Sequence, residues 1–135
     1  KRLGLSLSLH AANEPKRREL LRHGARYRLD EIHRALVAYR QRTNFALGLH
    51  WCLLPGVNDT AADAAELAAF ATGLGRCHVH LIPYNPDHEP VGSAPTDAEV
   101  TAFATRLRAH GLAVRARVVK GRSVGGACGQ LRGGR

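Results

Sequence analysis

The 135-residue chain contains no methionine, so its natural start is expected to lie outside this sequence, as part of something longer. No stretch approaches the roughly 20 apolar residues of a membrane span, and the N-terminus lacks the apolar run of a signal peptide. A soluble, cytoplasmic protein with no membrane partner is expected. Cysteine is scarce: Cys52, Cys77 and Cys128 are an odd number at wide spacing. That pattern fits neither a disulfide framework nor a CxxC zinc site, and the three read as thiols. Acidic residues are missing from the last quarter. Residues 1–99 hold 12 Lys or Arg against 11 Asp or Glu, while residues 100–135 hold 8 against none. The net charge of +9 therefore lies almost wholly at one end. A localised cationic surface suits a polyanion, because each neutralised phosphate releases counterions.

What is present is an alternation of hydrophobic periods. "LGLSLSLH" sets Leu3, Leu5, Leu7 and Leu9 on one face and Ser6, Ser8 and His10 on the other, which predicts a strand. "LDEIHRALVAYRQR" has Leu29, Ile32, Leu36 and Val37 at helical spacing. "FALGLHWCLL" is a second strand, stopped by Pro55 and Gly56. A helix follows Thr60, which has capping-box spacing with Asp63. "CHVHLIPYNP" is a third strand, and "PTDAEVTAFATRLRAHG" a helix with Thr96 as N-cap and Gly111 as stop. "LAVRARVV" makes a fourth strand before a Gly-rich coil.

Strand and helix in strict alternation predict an α/β fold with a parallel sheet and right-handed crossovers. Four strands cannot close a barrel, which needs about eight, so the neighbouring strands are expected upstream. Ligands of parallel α/β folds sit at the C-terminal ends of the strands. There the chain places "SLH", "LLPGVND" and "IPYNP". Ser8, His10 and Asn85 together offer a hydroxyl, an imidazole and a carboxamide, a set suited to a polar small molecule. His10, His50, His78 and His80 all fall on predicted strands, and His78 and His80 share a face as two zinc ligands would. No Asp or Glu lies on any predicted strand to serve as third ligand or base, which leaves a zinc-dependent barrel hydrolase as a distant alternative.

The tail "GGACGQLRGGR" sets Cys128 among five glycines. A thiol with nothing apolar to pack against reads as a reacting group on a flexible arm. In order and separation, "SLSLHAANE", "LLPGVND", "LIPYNP" and above all "ACGQLRG" resemble the C-terminal half of the radical-SAM 23S rRNA adenine methyltransferases of the RlmN and Cfr type. The resemblance runs from about Leu3 to Gly133. It implies the C-terminal portion of a partial, TIM-like (β/α) radical-SAM barrel over residues 1–122, with a Gly-rich tail over 123–135. By the same resemblance Ser8, Leu9, His10 and Asn85 contact S-adenosylmethionine, and Cys128 accepts a methyl group from a first molecule of it. A second S-adenosylmethionine is cleaved in that family at a 4Fe-4S cluster. The resulting radical abstracts hydrogen from the methylated cysteine, the carbon radical adds to adenine, and another cysteine resolves the adduct. An adenine ring carbon such as carbon 2 is not nucleophilic, so radical chemistry is what such a methylation needs. The implied partners are 23S rRNA, with transfer RNA as a second substrate, the upstream half of the same protein, and an electron donor for the cluster. Arg115, Arg117, Lys120, Arg122 and Arg132 are the candidates for holding RNA backbone beside the thiol.

The chain also departs from the family's pattern. The CxxxCxxC cluster motif, the second reacting cysteine and the Gly-rich cofactor segment are absent here and are expected upstream; Cys52 and Cys77 match none of those roles. His50 stands where the family commonly has Glu, Pro55 replaces an Asp, and "GRSVGG" replaces an acidic stretch of the type "GDDIDA". The alternative function is a diverged α/β module that binds RNA without chemistry.

Overall fold

A computed structural model describes residues 3–21, 26–42, 45–84 and 94–116. The elements run β1 (Leu3–Ser8), α1 (Glu14–Leu20), α2 (Leu29–Arg42), β2 (Phe45–Leu53), α3 (Ala61–Ala71), β3 (Cys77–Pro83), α4 (Asp97–Ala109) and β4 (Ala113–Ala116). The strands form one parallel sheet in the order β1-β2-β3-β4, with Leu5 opposite Leu47, Leu49 opposite Val79 and Val79 opposite Val114. Spatial order follows chain order without reversal, so every crossover passes over the same face. That is the winding of a barrel segment and not of a doubly wound sheet, where the order reverses at a switch point.

The sequence explains which face the helices cover. Along β2 the pleat puts Leu47, Leu49, Trp51 and Leu53 on one side, and all four are fully buried. Val79 and Leu81 continue that surface on β3. Leu29 of α2, Leu67 and Phe70 of α3, and Val100, Phe103 and Leu107 of α4 close it from outside. Trp51 and Phe103 stack with ring centroids 5.9 Å apart. Arg40 fastens α2 to the sheet: its guanidinium donates to the carbonyls of Leu74, Phe45 and Arg76 and lies 4.0 Å over the Phe45 ring.

Both predicted capping boxes are present. Thr60 accepts from the Asp63 N–H while Asp63 accepts from the Thr60 N–H, and Thr96 and Glu99 repeat the exchange at α4. Gly111, at φ 87°, takes the left-handed conformation that ends α4. The predicted first strand is shorter than its hydrophobic pattern, ending at Ser8, because His10 turns to a φ of 60°. Helix α1 has no counterpart in the periodicity. Its seven residues bury only Arg17 and Leu20, too little apolar repeat to register. The predicted fourth strand is observed as Ala113–Ala116, and the proposed tail, 123–135, lies outside the described residues. Among the described residues no helix is long and apolar enough to cross a membrane.

Core burial by α4 outweighs its cap. Leu107→Ala is expected to destabilise the protein by about 2–5 kcal/mol, and Thr96→Ala by about 1 kcal/mol. Chemical denaturation of both variants checks the order, and a costlier Thr96→Ala would contradict it.

Candidate functional site

The "SLH" segment closes β1 at the C-terminal edge of the sheet, where its three residues do different things. Ser8, opposite His50 in the register, is exposed on the face turned away from the core. Leu9 is fully buried in the core, so only its backbone is available to a ligand. The Leu9 and His10 N–H groups both donate to the His50 carbonyl, at 2.9 and 3.2 Å. This double contact accompanies the left-handed turn at His10, an uncommon conformation for a residue with a side chain.

His10 is held as a neutral base. Its Nδ1 accepts the Cys52 N–H at 2.8 Å, and a backbone N–H can only donate, so the ring proton must reside on Nε2. Burial chiefly, with electrostatic contributions from Arg17 and then His50, lowers the His10 pKa to about 4. The site therefore presents an uncharged imidazole with a single N–H.

Two residues that the sequence reading did not single out fix this geometry. Asn58, fully buried in "PGVND", donates from Nδ2 to the His10 carbonyl at 2.9 Å and to the Cys52 carbonyl at 2.8 Å. Its Oδ1 accepts the Leu54 N–H at 2.8 Å, and its own carbonyl accepts the Trp51 Nε1–H. One carboxamide thus joins the end of β1 to the end of β2. Arg17 of α1, also buried, donates to the carbonyls of Leu9 and Ser8, both at 3.1 Å. Burial pushes its pKa down, with Glu14 opposing. Its Nη1 is buried without a partner among the described residues. Lys16 of the same helix reaches the buried Asp63 carboxylate at 2.8 Å, tying α1 to α3. The available signals were an Asn in a Pro-Gly turn directly after a strand, and Asn13 ahead of Pro15 as a helix start.

Three of the four predicted strand histidines gather on the open face of the sheet. His50 and His80 stack with centroids 5.0 Å apart, and His80 and His78 lie 4.9 Å apart and tilted. The fourth, His10, lies just past the end of β1. Among the described residues no three His, Cys, Asp or Glu side chains are arranged to hold a metal ion, so the zinc-hydrolase reading gains no support. Arg115 is exposed on β4, in register with His80. Asn85, Arg117, Lys120, Arg122, Cys128 and Arg132 lie outside the described residues. Of the three cysteines read as thiols, Cys77 is free, with burial raising its pKa, Cys52 is fully buried at the end of β2, and Cys128 lies outside the described residues.

Two measurements test this arrangement. Asn58→Ala strands two carbonyls and an N–H, each costing about 1–3 kcal/mol when left unpaired; a denaturation midpoint close to wild type would contradict the clamp. His10 binds a proton far more weakly folded than unfolded, so its contribution is complete above its ordinary pKa of 6.5 and is lost as pH falls towards about 4. The difference amounts to about 3 kcal/mol. Stability should fall over that window in the wild type and less steeply in His10→Asn, whose carboxamide can still accept the Cys52 N–H. Equal slopes would contradict a buried neutral His10.

Comparison with known proteins bears on the fold. No family model matches the chain. The chain is 38% identical over 130 residues to a probable dual-specificity RNA methyltransferase RlmN of Synechocystis sp., covering 96% of this chain and 37% of that protein. It is 41% identical over 128 residues to the corresponding protein of Thermus thermophilus, covering 94% and 36%. Its fold matches a radical SAM methyltransferase from Sphaerobacter thermophilus with a TM-score of 0.79 and 38% identity, over 97% of this chain and 38% of that one. A domain of a pyruvate-formate lyase-activating enzyme from Bacteroides vulgatus shares the fold at a TM-score of 0.65 and 19% identity, over 84% and 66%. The chain spans a little over a third of the length of the curated relatives just named. In its parallel barrel segment and over nearly its whole length in sequence, this chain is thus similar to part of the RlmN-type radical SAM methyltransferases.

Proposed function

We propose that this chain forms part of a radical-SAM RNA methyltransferase that places a methyl group on an adenine ring carbon, with 23S rRNA as substrate and transfer RNA as a second. The observation that supports this most is the double clamp on "SLH". Arg17 holds the carbonyls of Ser8 and Leu9, and Asn58 holds that of His10. A segment so constrained presents fixed hydrogen-bonding groups, which is what positioning a small polar cofactor requires.

The residues fit S-adenosylmethionine. Ser8 offers an exposed hydroxyl, and His10 offers one N–H from an imidazole that stays neutral at physiological pH and so adds no repulsion towards a sulfonium. The unpartnered Nη1 of Arg17 adds a buried cationic donor behind the same segment. Asn85, which follows β3 in the sequence, supplies a carboxamide in this reading. Bound S-adenosylmethionine would supply the methyl group and, at a 4Fe-4S cluster held by other parts of the protein, the radical chemistry. No three metal-binding side chains among the described residues are arranged for such a cluster.

Cys128 is the methyl carrier in this reading. Its place in "ACGQLRG", the segment that carries the family resemblance, supports that role. Arg115, Arg117, Lys120, Arg122 and Arg132 hold the RNA backbone near that thiol, a contact that carries affinity but little sequence information.

The test uses the natural protein containing this segment, reconstituted anaerobically with cluster and S-adenosylmethionine on a 23S rRNA fragment. Cys128→Ala should abolish adenine methylation while RNA binding stays within about twofold and keeps its salt dependence. Methylation by Cys128→Ala at the wild-type rate would overturn the reading. RNA binding without methylation by the wild-type protein would favour a non-catalytic RNA-binding module.

A further inference from the structure

His10 sits at the centre of a three-residue turn. The Ala11 N–H donates to the Leu9 carbonyl at 2.7 Å, across a residue whose φ is 60°. A bond from residue i to residue i+2 around a positive φ is the rare, strained form of the γ-turn. Glycine would make the same turn without the Cβ penalty. Among the described residues His10 is the one non-glycine with a positive φ. An imidazole is therefore held where the backbone disfavours any side chain, and such strain persists only where the surroundings over-determine it.

Two successive peptide groups entering the turn are gripped at both ends. The Leu9 and His10 N–H groups donate to the His50 carbonyl, while the Ser8 and Leu9 carbonyls accept from Nη2 and Nε of Arg17, both at 3.1 Å. The Leu9 carbonyl thus takes two donors, one closing the turn and one from α1. Arg17 is committed to this backbone: Glu14, the acid whose charge acts on it, accepts instead from the Leu29 N–H and from Nε of Arg18. Burying a guanidinium is costly, and Leu20 is the only other buried residue of α1, so the packing of that helix does not account for it. The charged and titratable groups acting on the His10 ring are Arg17 from α1 and His50 from β2.

We propose that Arg17 is a positioning residue that acts through His10: its fork across the Ser8 and Leu9 carbonyls keeps the imidazole in the strained turn, in one tautomer, with its Nε2–H as a fixed donor to the ligand at the strand end. The effect on a ligand rests on the proposed binding of S-adenosylmethionine there; the effect on the His10 ring does not. Without Arg17 the Leu9 carbonyl loses its second donor and the turn relaxes. The Nδ1 contact with the Cys52 N–H then goes, and the ring samples both tautomers and takes up a proton. A donor fixed before the ligand arrives spares the complex the cost of ordering it.

The test compares the wild type with Arg17→Met, which keeps the aliphatic stem but has neither donor nor charge. In the natural protein containing this segment, isotope-labelled at histidine, the His10 ring nitrogens are identified by their loss in His10→Gly. They should report one neutral tautomer in the wild type down to about pH 5, and tautomer exchange with titration near the ordinary 6.5 in Arg17→Met. Ring signals unchanged by the substitution would overturn the proposal. Arg17→Lys serves where Arg17→Met does not fold: its ammonium keeps the charge but lacks the fork, so both tautomers should again appear, and a single one would count equally against the proposal. Equilibrium binding of S-adenosylmethionine is the second readout. Arg17→Met should weaken it at least about fivefold when His10 is present, and less than about twofold in His10→Gly, where no imidazole remains to be placed. Equal losses in the two backgrounds would reduce Arg17 to a brace for the strand end and overturn its action through His10. A wild type that binds no S-adenosylmethionine contradicts the proposed function alone, and the ring signals then decide on Arg17.

Discussion

The side chain of Asn58 is the interaction on which the site depends. Parallel strands end without a shared turn, so nothing in the ladder itself fixes how β1 and β2 finish relative to each other. Asn58 supplies that constraint by donating to carbonyls at both strand ends and accepting an N–H from the chain that follows β2. It is fully buried, and its backbone carbonyl is also taken, by Trp51. A polar group so satisfied in a low-dielectric interior specifies one arrangement, because every alternative strands several partners at once. The left-handed turn at His10 and its Nδ1 contact with Cys52 persist inside that frame.

From the constraint follows a division of labour between the two faces of the sheet. One face is an ordinary core, with Trp51, Leu49 and Val79 against helices whose caps and apolar rows are conventional. The other carries serines, histidines and an arginine, and no carboxylate from any of the four strands. Helix α1 belongs to neither pattern. It brings Arg17 under the Ser8 and Leu9 carbonyls and sets Lys16 against Asp63, so its role is to brace the strand end and not to enlarge the core.

Most of the fold was legible because its signals are local. Thr60 with Asp63, Thr96 with Glu99, and the alternation in "FALGLHWCLL" each announce an element from within a few residues. The motif residues Ser8 and His10 were legible through resemblance. Asn58 and Arg17 were not, because their partners are backbone carbonyls and N–H groups, some from β1, that carry no sequence signature. The stacking of His50 on His80 depended on strand register, which hydrophobic alternation narrows to a face but not to a neighbour.

The account stands or falls on Cys128 as the group that first receives the methyl. The most direct test is mass spectrometry of the Cys128 peptide, reduced beforehand, from the natural protein purified after growth with isotopically labelled methionine. The account predicts labelled S-methylcysteine at Cys128, together with label in RNA adenine. Labelled methyl in RNA from a protein whose Cys128 never carries it would contradict the central claim.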